Sequence, residues 1–267
     1  SQGKRSGYYI SALFNPHRFA VACRPGNSSE KVESAWIEAQ RDEKTIRVAA
    51  KHLSTAAAEK GFELCGVGHE PELVFVSEDT PTDTNGTRHL DLITGLVEHA
   101  LHSLRRPAPI ILTSQVTPGY TRRFQMRQLF HQAETLRIKD AADRARQPEM
   151  FIVGCHYPCE PFPEAYEKYL TAFNCPVIQM SYESAEFAKI AINAFLISQV
   201  ETTNMLSLLA DRCGANWNEV MLALQNDSRI GPNAYLKPGR WHDSPHLLRD
   251  FVTLNDIGMH HLLEAWK

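Results

Sequence analysis

The chain of 267 residues is long enough for one large domain or two small ones. Its formal net charge of −3 excludes the broad basic field of general nucleic-acid binding, and no apolar run approaches the roughly 20 residues of a membrane span. The N-terminus lacks the apolar core of a secretion signal, and six scattered cysteines are not a disulfide framework. We therefore expect a cytoplasmic globular protein.

Short apolar strands alternate with helices over the first two thirds of the chain. Strands are predicted at 18–23, 62–66, 73–76, 109–113, 150–154 and 176–180. Helices are predicted at 28–39, 47–60, 90–104, 120–131 and 163–173. This alternation is typical of an α/β domain with a mostly parallel sheet, which we place at residues 1–181.

The last third of the chain has a helical pattern throughout. One long helix is predicted from 184 to 213, and Gly214 ends it. Because apolar residues occupy nearly all sides of this helix, we expect it to be buried. A short helix at 217–224 and a last one at 250–266 complete a helical domain at residues 182–267.

Lys189 and Asn193 lie four positions apart in the long helix, so their side chains share one face. A lysine in a buried helix is costly unless it is paired or its pKa is lowered. Two interpretations stay open: a functional pair, or a lysine that extends its amine to solvent.

Cys155, His156 and Cys159 lie close together in the sequence, which raises the question of a zinc site. A single C-x3-C pair without a second matching pair is a weak signal. We expect inert thiols and no bound metal.

Five segments, in the same order, resemble motifs of the UDP-glucose/GDP-mannose 6-dehydrogenase family. They are Thr80-Pro81-Thr82-Asp83 with Gly86, the turn at 114–121, Glu134 with its spacing to the strand at 152–154, the helix Ser184-Ala-Glu-Phe-Ala-Lys-Ile-Ala-Ile-Asn-Ala-Phe195, and the segment 227–231. The resemblance covers essentially the whole chain. It implies a Rossmann-like NAD-binding α/β domain followed by an all-helical central domain with one long helix that dimerises. The family's C-terminal nucleotide-binding domain has no counterpart in this sequence.

The resemblance also implies chemistry and site residues. Family members oxidise the C6 alcohol of a UDP- or GDP-sugar to a carboxylate and pass two hydrides to NAD. The lysine and asparagine stabilise the developing oxyanion, and a glutamate and an aspartate handle protons and water. By matching position, the catalytic residues are Lys189, Asn193, Glu134 and Asp250; the cofactor residues are Gly7, Tyr8, Thr80, Pro81 and Ser114; and the substrate residues are Leu136, Arg229, Tyr235 and Gly239.

The family's catalytic cysteine is replaced in this chain. Counted without gaps from Pro238-Gly239 to Asp250, the cysteine position falls on His246. An imidazole is a nucleophile, but it does not form a thioester-like species with the same leaving and hydrolysis behaviour.

The dinucleotide motif is replaced as well. Of the Gly-x-Gly-x-x-Gly pattern only Gly7 remains, and the six residues before it cannot form a buried first strand. Arg24 stands where an acid normally binds the ribose, which favours the 2′-phosphate of NADP. The resemblance therefore implies NAD or NADP, while the departures predict that classical NAD binding is lost.

Three functions stay open. The first is a nucleotide-sugar dehydrogenase that still oxidises an alcohol and stops at the aldehyde. The second is a catalytically inactive dimer that acts as a binding or regulatory module. The third is altered, metal-assisted chemistry at His242, His246 and Asp250, for which two histidines at i and i+4 need a helix that Pro245 disfavours.

Overall fold

The structure is a computed structural model, and it describes residues 8–14, 17–23, 53, 55–65, 72–78, 80–104, 106–135 and 140–259. The predicted helix at 28–39 lies outside these residues, as does most of the one at 47–60, of which 55–59 are helical. The chain forms two compact units, residues 1–81 with 88–189 and residues 82–87 with 190–267. We call them unit 1 and unit 2.

Among the described residues, unit 1 contains an eight-stranded sheet of order β3-β1-β2-β4-β5-β6-β7-β8. The strands are β1 Tyr8–Phe14, β2 His17–Cys23, β3 Phe62–Cys65, β4 Leu73–Val76, β5 Ile110–Leu112, β6 Leu129–Ala133, β7 Phe151–Cys155 and β8 Val177–Ser181. Strands β2, β4, β5 and β6 run parallel, as do β7 and β8, whereas β1 is antiparallel to β2 and β3, and β6 to β7. The predicted α/β class with a mostly parallel sheet is confirmed.

Helices cover both faces of the central strands. They are α1 Asp91–Ser103, α2 Ala141–Arg146 and α3 Glu164–Thr171. Successive residues of a strand point to opposite faces, so Val74 of β4 packs with the α1 residue Ile93, whereas Phe75 packs with the α3 residue Tyr169. Because both faces are covered, all four residues of β4 are buried, which explains its uninterrupted apolar sequence.

The predicted helix at 120–131 is wrong. A single turn of 3-10 helix, Thr121–Phe124, is followed by Gln125 with a left-handed φ of 49°, and the chain then enters β6. Strand β6 fills the position between β5 and β7, and its polar residues His131 and Gln132 are buried there. Pairing with two neighbouring strands therefore overrides the local helical pattern.

The chain enters the sheet through an antiparallel hairpin. Tyr8 pairs with Cys23 and Phe14 with His17, so β1 and β2 are consecutive antiparallel neighbours. A dinucleotide-binding βαβ unit would instead join two parallel strands through a helix whose N-terminus faces the pyrophosphate. Residues 8–14 and 17–23 do not have that form.

The long helix is α4, Tyr182–Cys213, with 32 residues. The division between the two units falls within it, after Lys189. Gly214, with φ of 77°, ends the helix, and the Ala215 N–H donates back to the Ala210 carbonyl at 2.9 Å. The predicted long helix and its glycine stop are confirmed.

Unit 2 continues with α5, Trp217–Asn226, a short 3-10 turn, Trp241–Asp243, and α6, Pro245–Asp256. The last helix therefore begins five positions before the predicted start, because proline is favoured in a first helical turn, where its missing N–H needs no partner. No helix among residues 8–14, 17–23 and the later described segments is long and apolar enough to cross a membrane.

The expected burial of α4 is only partly observed. Tyr182, Ala185 and Ile190 are fully buried, but Phe195 is 74% exposed and Leu208 is 63% exposed. Phe195 and Leu208 are therefore not covered by this chain's described residues, whereas Val200 and Ala210 of the same helix are buried.

Candidate functional site

The carboxyl ends of β4 and β5 carry a buried polar cluster in unit 1. The hydroxyls of Ser77 and Thr113 are 2.7 Å apart, and the Glu78 N–H donates to Ser114 Oγ at 3.2 Å. Ser114 has no exposed surface, and the other three residues are at most 6% exposed. Since ligands of open α/β sheets bind at the carboxyl ends of the strands, this edge is the natural place for one in unit 1.

Three of the predicted cofactor residues, Ser114, Thr80 and Pro81, lie at or next to this edge. The Thr80 hydroxyl donates to the Gln115 carbonyl at 2.6 Å, which links the segment after β4 to the segment after β5. Pro81 follows and is exposed. Tyr8 begins β1, and Gly7 and Arg24 lie outside the described residues.

Two predicted catalytic residues also belong to unit 1. Glu134 directly follows β6 and is half-buried, and Lys189 in α4 is half-buried as well. Both interpretations of Lys189, functional pair or extended amine, therefore stay open. The predicted substrate residue Leu136 lies outside the described residues.

In unit 2, Asn193 and Asp250 form a buried hydrogen bond. The amide Nδ2 of Asn193, from α4, donates to Asp250 Oδ2, from α6, at 2.5 Å. Asn193 is 7% exposed and Asp250 is fully buried. The structure thus brings together two residues that are 57 positions apart in the chain, and their catalytic role stays a prediction.

The start of α6 and the turn before it are attached to α4 through Trp241. Its ring packs against Ile197 and Val200, and its indole N–H donates to the Glu201 carboxylate. Phe251 of α6 joins this cluster, with ring centroids 5.0 Å from Trp241. This packing holds α6, and therefore Asp250, against the middle of α4.

The two histidines of the metal hypothesis lie in different elements. His242 is exposed in the 3-10 turn and stacks on Trp241 with 3.7 Å between ring centroids, whereas His246 is half-buried in the first turn of α6. Within the described part of the chain, no three His, Cys, Asp or Glu side chains are placed to bind one metal ion. The two histidines therefore do not share one helix, in line with the effect expected of Pro245, and metal-assisted chemistry here stays a prediction. His260 and His261 lie outside the described residues.

Polar side chains of α4 bind the backbone of the segment 235–239. The Tyr235 N–H donates to Gln199 Oε1 at 3.0 Å, and Thr203 Oγ1 donates to the Tyr235 carbonyl at 2.7 Å. Asn204 donates to the Gly239 carbonyl at 2.8 Å and accepts from its N–H at 2.9 Å. Sequence reasoning missed these three anchors, because other polar residues surround them in this part of α4 and none stands out.

The remaining predicted substrate residue, Arg229, follows α5. Its guanidinium donates to both carboxylate oxygens of Asp227, at 3.0 and 2.7 Å. The Arg229 N–H also donates to Asp227 Oδ1 at 2.9 Å. Arg229 is exposed, so this local turn presents a cation at the surface.

The thiol near the sheet is not activated. Cys155 is buried at the end of β7, and its thiol lies 3.4 Å from the Met180 carbonyl oxygen. Burial raises the pKa of the Cys155 thiol, which disfavours the nucleophilic thiolate. The expectation of an inert thiol agrees with this environment.

Comparison with known proteins identifies a similar family. Residues 183–261 match the model of the UDP-glucose/GDP-mannose dehydrogenase family, central domain. This segment contains Lys189 and both partners of the Asn193–Asp250 hydrogen bond. The helical segment of this chain is therefore similar to the central domain of this family.

Full-length relatives agree with that assignment. The UDP-glucose 6-dehydrogenase YwqF of Bacillus subtilis is 24% identical over 181 residues, which are 64% of this chain and 40% of the relative. The UDP-glucose 6-dehydrogenase 3 of Arabidopsis thaliana is 25% identical over 223 residues, 74% of this chain and 46% of the relative. The chain therefore spans less than half the length of these dehydrogenases.

The fold agrees as well. A solved UDP-glucose dehydrogenase from the archaeon Pyrobaculum islandicum superimposes with a TM-score of 0.58 at 21% identity, covering 78% of this chain and 49% of that one. The predicted combination of a Rossmann-like sheet domain with a helical region built on one long helix is thereby confirmed.

Proposed function

We propose that this protein binds a nucleotide sugar, oxidises its C6 alcohol with NAD or NADP and stops at the aldehyde. The observation that carries the proposal is the buried Asn193–Asp250 hydrogen bond, because it holds a polarised amide beside a carboxylate. Similarity to the family, the retained Lys189 and the retained Glu134 support it.

The Asn193 amide has two N–H groups. Donation to Asp250 uses one of them and fixes the plane of the amide, which leaves the second N–H for a substrate oxygen. As the C6 hydroxyl loses its proton, charge develops on that oxygen. A preorganised donor in a buried site stabilises this charge, and the Asp250 carboxylate accepts the proton.

The cofactor site fits only in part. Ser77, Thr113 and Ser114 at the carboxyl ends of β4 and β5 are buried, so their hydroxyls support the backbone of the edge at which a dinucleotide would lie. The antiparallel β1–β2 hairpin does not offer a helix N-terminus to the pyrophosphate. When bound, NAD accepts a hydride from the sugar carbon. We expect weak affinity, because the usual pyrophosphate site is not formed by the described residues.

The replaced cysteine sets the expected product. Oxidation of the alcohol releases one proton and one hydride and gives the aldehyde. In the related dehydrogenases, by resemblance, a thiol captures this aldehyde before the second hydride leaves. His246 stands at that position, so the reaction ends with one reduced cofactor per sugar instead of two.

The test incubates the protein with NAD or NADP and a panel of UDP- and GDP-sugars. Reduced nicotinamide is counted per sugar consumed, and the aldehyde is trapped with a hydroxylamine. We expect a ratio of one and a trapped aldehyde, with activity about 100-fold lower in Asn193→Ala, the usual loss for one oxyanion donor. Absence of cofactor reduction with every sugar, together with no sugar binding by calorimetry, overturns the proposal.

A second candidate function is a dimeric binding module without catalysis. Large apolar side chains are exposed along α4 and on α5: Phe195, Met205, Leu206, Leu208, Leu209 and Leu222. Met205, Leu208 and Leu209 share one helix face, and exposed apolar surface of this kind marks interaction sites. We propose that two copies pair through this face.

Light scattering of the wild type against Leu208→Asp tests the dimer, with the exposed Asp211→Ala as a matched control. A dimer that only Leu208→Asp converts to monomer supports it, and a wild-type monomer at high concentration excludes it. NAD(H) carried through purification in stoichiometric amount contradicts a purely non-catalytic module.

A further inference from the structure

Glu186 in α4 has a buried carboxylate with two backbone partners. Its side chain is 1% exposed. The Gly119 N–H donates to Oε2 at 2.5 Å and the Thr121 N–H donates to Oε1 at 2.8 Å. One carboxylate therefore holds two amides of the segment that follows Ser114.

This segment has little regular structure of its own. Gly119 has a left-handed φ of 88°, and Thr121 starts a 3-10 turn of four residues. The first N–H of a helical turn has no partner within that turn. Without Glu186, the Thr121 N–H would be a buried donor lacking a bond, because Thr121 is 1% exposed.

Burial of the Glu186 carboxylate disfavours its charged form. Burial raises the pKa of its carboxyl group, and the hydrogen bonds from Thr121 and Gly119 oppose that rise. A buried carboxylate is retained only with such donors, and hydrogen bonds to a charged group are about twice as strong as neutral ones. Here the two hydrogen bonds stabilise the backbone conformation at Gly119 and Thr121.

Two neighbours in α4 bind residues close to this segment, and the Tyr182 hydroxyl donates to the Leu129 carbonyl at 2.5 Å. The Tyr182 hydroxyl lies 3.0 Å from the Met126 carbonyl oxygen, and Glu183 forms a bidentate pair with Arg122 at 2.7 and 2.9 Å. The Arg122–Glu183 pair is about two-fifths exposed and is screened by solvent, so it contributes little. Glu186 is the buried charged contact of the three.

We propose that Glu186 is a positioning residue: it holds the segment 114–121 in the conformation that places Ser114 at the edge of β4 and β5. It lies three residues before Lys189 in the same helix, so it also ties the start of the segment that carries Lys189 to this loop. The expected consequence is that loss of Glu186 weakens dinucleotide binding at this edge, and this consequence rests on the proposed function.

The experiment compares wild type with Glu186→Gln. The introduced amide keeps one acceptor oxygen but faces the second backbone N–H with a donor. Glu183→Gln is the matched control, because it removes the same charge one turn earlier from a partly exposed pair. Backbone hydrogen exchange is measured by mass spectrometry on peptides covering 115–124, and NADH affinity is measured by fluorescence titration.

We expect exchange of 115–124 to be at least about tenfold faster in Glu186→Gln, with unchanged protection in the peptides of β4 and β5, and little change in Glu183→Gln. NADH affinity falls by about the same factor only in Glu186→Gln. Unchanged exchange overturns the proposal. Faster exchange with unchanged NADH affinity overturns the positioning role and leaves a structural one.

The two proposals fail separately. If the wild type binds no NADH, the proposed function loses its cofactor, while the exchange comparison still decides whether Glu186 holds the segment. If Glu186→Gln does not fold, Glu186→Asp replaces it, because it keeps the charge but its shorter side chain cannot reach both amides. Normal exchange of 115–124 in that variant equally overturns the proposal.

Discussion

The buried pair of Asn193 and Asp250 gives the sharpest test of the site's geometry. The prediction is a double-mutant cycle of Asn193→Ala, Asp250→Ala and the double variant. Because Asp250 has no exposed surface, removal of Asn193 takes a donor from a carboxylate that water cannot readily reach. A hydrogen bond to a charged group contributes about 1.5–3 kcal/mol, so each single variant should lose about 2–3 kcal/mol of unfolding free energy.

The double variant should lose less than the sum of the two single variants, by about 1.5–3 kcal/mol, since the second substitution removes a partner whose bond is already gone. Urea unfolding followed by tryptophan fluorescence and circular dichroism measures all four proteins, with constant m-values as the check on cooperativity. The exposed Asn218→Ala serves as control and should stay within about 0.5 kcal/mol of wild type. If the losses from the two single variants simply add, the hydrogen bond does not couple α4 to α6 and the reasoning is refuted.

Three further outcomes are expected. Gly154→Ala should destabilise the protein by about 1–3 kcal/mol in thermal unfolding, because its new Cβ would lie 2.8 Å from the Ala185 Cβ. The control Gly95→Ala should be neutral or stabilising, because no atom lies within 4 Å of its new Cβ. Equal effects of the two substitutions would contradict this prediction. Burial lowers the pKa of His131 from 6.5 to about 4, so between these pH values the unfolded chain binds a proton that the folded chain does not. The contribution of His131 should therefore lower the unfolding free energy by up to about 3 kcal/mol as the pH falls from 6.5 to 4. This contribution should be missing in His131→Leu. Asn204→Asp keeps the acceptor for the Gly239 N–H but loses the donor to the Gly239 carbonyl. Backbone hydrogen exchange around residue 239 should therefore become several-fold faster. Unchanged exchange would show that this contact is dispensable.

Local pattern and periodicity predict those elements whose sequence and environment agree. Strand β4 is apolar because it is buried on both faces, and α4 ends at Gly214 because a left-handed residue is needed there. The sequence of strand β6 instead predicts part of a helix, since Leu-Phe-His-Gln-Ala has neither alternation nor many β-branched residues. Its strand form comes from β5 and β7, which are distant in sequence.

The site was predictable as a set of residues but not as a set of contacts. Motif resemblance identifies Asn193 and Asp250 separately, while their hydrogen bond depends on how Trp241 packs α6 onto α4. Glu186 escapes notice in the sequence because an acidic residue early in a helix usually interacts with the helix dipole at the surface. Only its burial and its two backbone partners distinguish it.

The attachment of the segment 235–239 to α4 has a consequence for how far the sequence of this loop can vary. Gln199, Thr203 and Asn204 bind peptide groups of Tyr235 and Gly239, and peptide groups are the same whatever side chains the segment carries. These backbone contacts set part of the path of the chain into Trp241 and α6 and do not depend on side-chain identity at the bonded positions, whereas Leu236 and Tyr235 also pack through their side chains. Substitutions that keep these contacts can therefore change the side chains near α6 while leaving the scaffold in place.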